Sequence, residues 1–395
     1  MTVARVLILL FSLALLPPPA DAGDVGLPKG YWDQPLKPQG RAPQAWSDLE
    51  ASLDPQSCGA CHADKLEEWR GSLHAKAFSP GLIGQLLSFS PQETQDCLNC
   101  HAPLAEQAAA FEAARRQGKG HLAASQGLAA AGNSCGGCHV RGHKRFGPPQ
   151  RGTAATGPSL GESPHGGVTR TADFERPEFC GTCHQFSADQ AINGKPLENT
   201  VEEWRQSPQA KAGQTCQTCH MPDRKHLWRG IHDPATVEAG LEAKVVTDRD
   251  RIRVTLTSRA VGHAFPTYVT PKAILHAVLI DGRGQARPET EATVLIQRRV
   301  AFDGTDWREL SDTRLLPGQS AGVEIAWGDA TQARVWLEVQ PDDFYHVETY
   351  SQLLRDLPPK SAARRLIAEA DARAAASVYS LFAQVVSRPG LKTGR

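Results

Sequence analysis

Cys58-Gly-Ala-Cys61-His62, Cys97-Leu-Asn-Cys100-His101, Cys135-Gly-Gly-Cys138-His139, Cys180-Gly-Thr-Cys183-His184 and Cys216-Gln-Thr-Cys219-His220 decide the reading of this 395-residue chain. Together they use all ten of its cysteines. A lone Cys-x-x-Cys also fits a redox dithiol or half of a zinc site. A histidine in the fifth place every time, with no thiol left over, points instead to covalent attachment of c-type haem. In that chemistry the two thiols add to the porphyrin vinyl groups as thioethers. The following histidine becomes the proximal ligand of the iron. The expectation is five haems, with His62, His101, His139, His184 and His220 as proximal ligands.

The motifs lie within residues 58–220, about one per 33 residues, in a stretch poor in large aliphatic side chains. Such a segment cannot bury much core of its own, so the macrocycles are expected to act as the core of a mainly α domain with little regular structure. The N-terminus supplies a compartment. Arg5, an apolar run from Val6 to Leu16 and the small-residue site Ala20-Asp21-Ala22 have the layout of a secretory signal peptide. The run is too short for a spanning helix. Export to the periplasm with cleavage near Ala22 follows, with no stable membrane span. Lys plus Arg equals Asp plus Glu at 43 each, which gives no reason to expect a nucleic-acid partner.

An internal repeat runs through the same region. Glu67-Glu68-Trp69-Arg70-x-Ser72 returns as Glu202-Glu203-Trp204-Arg205-x-Ser207. Ser72 and Ser207 read as N-caps, with Pro208 suited to a first helical turn. Trp69 and Trp204 are expected on haem faces. His74 has Gln209 as its counterpart, so the scaffold does not require a histidine there, which favours a ligand role.

The combination of Trp-Arg-x-Ser-x-His, the Cys-x-x-Cys-His motifs and Cys216-Gln-Thr-Cys219-His220-Met221-Pro222 resembles the multihaem cytochromes c related to the tetrahaem cytochrome of ammonia oxidation. The resemblance covers roughly residues 50 to 235. It implies bis-histidine haems in close pairs and electron transfer between redox protein partners. Some members keep one five-coordinate haem. This chain departs in its motif count and in a long C-terminal extension.

Sixth ligands are therefore sought among the nine histidines outside the motifs. Met221 follows a proximal histidine directly and cannot reach its own iron, so Met/His ligation is not expected at most sites. His165, on the loop Ser163-Pro164-His165-Gly166-Gly167, is a candidate because glycines let backbone approach closely. His226 and His232 follow the last motif at a spacing that suits two different haems, and His232 resembles the family's late histidine. His263, in Gly262-His263-Ala264-Phe265-Pro266-Thr267, resembles a motif of attached domains in which the histidine reaches across to a haem. The candidate set is His74, His165, His226, His232 and His263. His143 and His121 have weaker contexts, His276 alternates in a strand, and His346 has no assignment.

After about residue 238 the pattern becomes β. Ile252, Val254 and Leu256 alternate with polar residues, and further strands are expected over 273–280, 293–300, 322–327 and 334–339. Short strands at this spacing suggest an immunoglobulin-like sandwich over 238–357. Past Pro358-Pro359, the residues Leu366, Ile367, Ala370, Val378, Leu381, Phe382 and Val385 mark an amphipathic helix expected to dock on the sandwich or on a second subunit. The chain thus divides into a signal peptide (1–22), a pentahaem domain (23–237), a sandwich and a C-terminal helix and tail (358–395). The favoured function is an electron relay. Two alternatives stand beside it: an oxidoreductase acting on a small nitrogen or sulfur compound at one open haem, and a haem-bearing docking module. No Cys-x-x-Cys-Lys variant is present.

Overall fold

A computed structural model describes residues 26–122, 127–151 and 164–390, so the expected signal peptide lies outside the described residues. Short helices joined by loops make up the described residues before 240, and their hydrophobic clusters are small. The largest gathers Phe78, Ile83, Leu86, Leu98, Ala102 and Phe111. Regular β structure there is limited to two-residue and four-residue strands such as 140–141 and 144–147. Two helices carry the repeat, α1 (Ala63–Gly71) and α3 (Thr200–Arg205). Between them in sequence lies α2 (Pro80–Leu86), opened by Ser79, whose side chain accepts from the Leu82 amide, and by Pro80 in the first turn. Ser207 caps the short helix Pro208–Lys211 as expected. Its counterpart Ser72 caps only a turn, accepting from the Ala75 amide at 3.3 Å.

The C-terminal part is built from antiparallel sheets. Its strands are β1 (Leu241–Thr247), β2 (Arg251–Ser258), β3 (Lys272–Ile280), β4 (Ala292–Ile296), β5 (Arg298–Phe302), β6 (Trp307–Asp312), β7 (Ser320–Ala326), β8 (Gln332–Gln340) and β9 (Tyr379–Ser387). One sheet has the order β9-β8-β3-β4, a second β7-β2-β1, and β5-β6 form a hairpin. The two larger sheets share one core: Ile252, Val254 and Leu256 from one meet Leu275, Val335 and Leu337 from the other. Alternation of apolar and polar side chains along β2 and β8 produces that one-sided burial. Trp327 closes the core, fully buried, its indole N–H donating to the Asp248 carbonyl at 2.9 Å.

Two expectations need correction. The strand expected over 293–300 breaks at Gln297, because Arg298 turns inward and its strand pairs with β6 instead of β3. The C-terminal helix α4 covers only Ala362–Ala376, and Val378, Leu381, Phe382 and Val385 do not continue it. Residues 379–387 form β9, the edge of the larger sheet, paired with β8. Nor does α4 pack on the sandwich. Its buried face, Ala363, Ile367, Ala370 and Ala374, lies against α2 of the N-terminal region. Gly84 permits that approach, since a Cβ there would stand 2.8 Å from Ile367 Cδ1. The face expected to serve a second subunit is thus covered within the chain.

Candidate haem sites

Each Cys-x-x-Cys-His ends or overlaps a helix: Pro55–Gly59, Pro91–His101, Cys135–His139, Glu178–His184 and Cys216–His220. On a helical turn, positions i, i+3 and i+4 share one face, so both thiols and the imidazole present themselves together. All ten cysteines are free of disulfides. Neighbouring motifs approach one another. Cys58 and Cys135, Cys100 and Cys183, and Cys180 and Cys216 lie close enough to perturb one another electrostatically.

Three motif histidines face a second histidine. The ring centroids of His184 and His74 are 6.2 Å apart, those of His139 and His226 6.1 Å, and those of His220 and His263 6.2 Å. Two metal–nitrogen bonds of about 2.0–2.1 Å in line, plus the distance from nitrogen to ring centre at each end, require roughly 6.3 Å between trans imidazoles. The observed spacing therefore fits one iron between each pair.

The ring nitrogens agree with that fit. Nδ1–H of His101 donates to the Ala77 carbonyl (3.1 Å), that of His139 to Phe146 (2.8 Å) and that of His220 to Arg229 (2.7 Å). On the opposite side, His226 Nδ1 bonds the Arg224 carbonyl and His263 Nδ1 the Ala264 carbonyl, leaving Nε2 free in each ring. A backbone acceptor on one nitrogen fixes the tautomer and points the other at a metal. Burial, reinforced by neighbouring histidines, pushes His74 down to about 3 and His184, His226 and His263 to about 4. These imidazoles are held neutral, the form a metal ligand must have.

The other candidates are placed differently. His165 sits with φ +46° and lies in the electrostatic field of His62, its Nδ1 bonding the Gly167 carbonyl at 3.3 Å. His232 is not brought to a motif histidine. Its Nε2 is 3.0 Å from the Asp342 carboxylate, tying the loop after the last motif to the β region. His143 uses Nε2 on the Gly40 carbonyl, and His121 lies on the turn Gly120–Leu122. His276 stacks on Trp336 with centroids 4.3 Å apart, as its place in a strand suggests, and His346 bonds Asp371 of α4. No histidine ring stands at facing distance from His62 or His101 among the described residues.

Some residues near the sites carried no motif. Trp228 packs edge-on against both His74 (4.6 Å) and His226 (5.1 Å). Glu198, raised to about 8 by burial, has a carboxylate oxygen without a hydrogen bond, 4.0 Å from His184 Nδ1. The half-buried phenols of Tyr268 and Tyr345 lie in its field, and Tyr345 also in that of Cys97. Their only sequence signal was their chemistry.

Residues 57–140 match the family model described as cytochrome c554 and c-prime. The match and the shared fold support a multihaem cytochrome c. Covalently bound c-type haem is what that family implies, and the open cysteine pairs and the paired histidines of this chain suit it. Its fold resembles the crystal structure of a penta-heme cytochrome c552 from Thermochromatium tepidum, with a TM-score of 0.55 and 20% identity over 83% of this chain and 96% of that one. No curated protein sequence matches it significantly. Among the described residues, no helix of the cytochrome is long and apolar enough to cross a membrane.

Proposed function

We propose that this cytochrome is an exported electron relay holding five c-type haems, passing electrons between redox protein partners in the periplasm. Bound there, haem supplies one-electron chemistry at iron. The chain's part is to attach each group through a cysteine pair, to bring a second imidazole to four of the five sites and to keep water and substrates from the metal there. In this reading His74 lies opposite His184, His226 opposite His139, His263 opposite His220 and His165 opposite His62. His232 is an inter-unit contact and not a ligand. The close thiol pairs Cys58–Cys135, Cys100–Cys183 and Cys180–Cys216 support short steps from one site to the next. We read residues 23–237 as the haem-bearing unit and the two facing sheets beyond it as an immunoglobulin-like sandwich, joined to that unit through His263.

The observation that carries the proposal is the facing of three histidine pairs at 6.1–6.2 Å. A specific observation also favours a second reading for one site. His101 has no facing histidine among the described residues, while Glu198 near Cys100 and Tyr345 near Cys97 provide half-buried proton-bearing groups. An oxidoreductase acting on a small nitrogen or sulfur compound would use that site. Carbon monoxide added to the fully reduced protein separates the readings. No binding is expected of a pure relay, and one equivalent of an open His101 haem. Three or more equivalents would defeat the pairing itself.

A further inference from the structure

The two copies of Glu-Glu-Trp-Arg make matching contacts at two different sites. In α1 the Trp69 indole N–H donates to the Asn133 carbonyl at 2.9 Å, two residues before Cys135. In α3 the Trp204 indole N–H donates to the Gln214 carbonyl at 2.8 Å, two residues before Cys216. Each tryptophan thus ties its helix to the segment entering one attachment helix.

The second glutamate of each copy reaches the other side of the same site. Glu68 Oε2 accepts the backbone N–H of His226 at 2.9 Å, and His226 faces His139 of the Cys135 motif. Glu203 Oε2 accepts the backbone N–H of Ala264 at 3.1 Å, beside His263, which faces His220 of the Cys216 motif. Each carboxylate also has its own cation, Lys65 at 3.0 Å for Glu68 and Arg314 at 3.1 Å for Glu203. Arg314 goes on to donate to the Thr267 carbonyl at 2.7 Å, so the loop bearing His263 is gripped on both flanks. Outside the repeat, Glu50 accepts the backbone N–H of His165 at 3.0 Å, the same arrangement on a third candidate ligand.

We infer that the repeated helix is a two-ended clamp: its tryptophan fixes the attachment segment, and Glu68 and Glu203 are positioning residues that hold the main chain carrying the sixth ligand of the same haem. This rests on the proposed ligation by His226 and His263. The physical basis is that an N–H held by an ionised carboxylate is among the stronger hydrogen bonds. A ligand's geometry is only as good as the contacts that fix its backbone and ring. The repeat thereby gains a reason to recur with its glutamate, since two haem sites need the same bracket around different ligand segments.

The test compares Glu68→Ala, Glu68→Gln and His226→Ala in the holoprotein with all five haems confirmed by mass. The readouts are low-temperature electron paramagnetic resonance and carbon monoxide binding after reduction. His226→Ala is expected to show one new high-spin haem and one further equivalent of carbon monoxide. Glu68→Ala is expected to raise the open population of that same haem by about tenfold, the factor that loss of one charge-assisted hydrogen bond implies. Glu68→Gln, whose amide oxygen still accepts the N–H but without the charge, is expected to fall between the wild-type and Glu68→Ala signals. Wild-type spectra from Glu68→Ala beside an altered His226→Ala would overturn the clamp. Wild-type spectra from His226→Ala would instead overturn the ligation beneath it. If Glu68→Ala is not recovered folded, Glu68→Asp carries the test by the same readouts, its carboxylate one methylene short, and an unchanged spectrum overturns the clamp.

Discussion

Arg298 offers a quantitative test of how the sheets are held to the cytochrome region. Its side chain is 0% exposed. The guanidinium donates to three backbone carbonyls of the cytochrome region, Ile192 at 2.9 Å, Lys195 at 2.8 Å and Pro196 at 2.6 Å, and to the Glu309 carboxylate at 2.8 Å. Replacement by methionine keeps most of the volume and removes every donor. Glu309 would not be stranded, because Lys195 Nζ (3.0 Å) and Asn193 (2.9 Å) still reach it. The cost therefore falls on the three carbonyls, at about 1–3 kcal/mol for each that stays dry. With the turn free to take up water at one of them, a loss of about 3 kcal/mol is expected, at the lower end for breaking a buried ion pair. Global unfolding of a multi-unit haem protein is not two-state, so local opening is the better measure. Hydrogen exchange of the amides in 191–196 and 298–312 should accelerate by about two powers of ten. Exchange within about threefold of wild type would refute the assignment of Arg298 as the principal bolt.

The remaining predictions concern the haem sites. The intact mass of the mature protein should equal a chain beginning near Gly23 plus five haems, and fewer haems on fully matured protein would remove the basis of the relay. His232→Ala should leave carbon monoxide stoichiometry and spin state unchanged, because its Nε2 is engaged by Asp342. The stability change should stay within about 1 kcal/mol, as for a partly exposed ion pair. A new high-spin haem in His232→Ala would return that residue to the ligand set.

Covalent chemistry made the attachment sites legible: a thioether pair and its histidine must lie on one turn, so their spacing survives in any fold. The distal side obeys no such local rule. His226 and His263 approach their partners across 87 and 43 residues of sequence, and only chain trajectory separates them from His232. The most instructive misreading is β9. Its pairing with β8 shifts between Val335 and Leu337, and Phe382 takes φ +53°. A bulge inserts an extra residue and breaks the two-residue alternation. Leu381, Phe382 and Val385 consequently fall at spacings that imitate a helix. Arg298 misled for another reason: a buried arginine inside a strand-like run carries no sign of the carbonyls waiting for it in residues 192–196.

The last elements of the chain have a bearing on how the molecule is made. Between them, α4 and β9 seal two separate bodies, one against α2 near the N-terminal motifs and the other along β8. A ribosome delivers residues 362–387 after all the cysteines have emerged. Until then the cluster of Ile83 and Leu86 lacks its contact with Leu366, and β8 has an open edge. Over that interval the haem-bearing segment would be less compact while its thiol pairs are still open. Late closure, set by sequence separation and not by intrinsic speed, would make covalent maturation precede compaction.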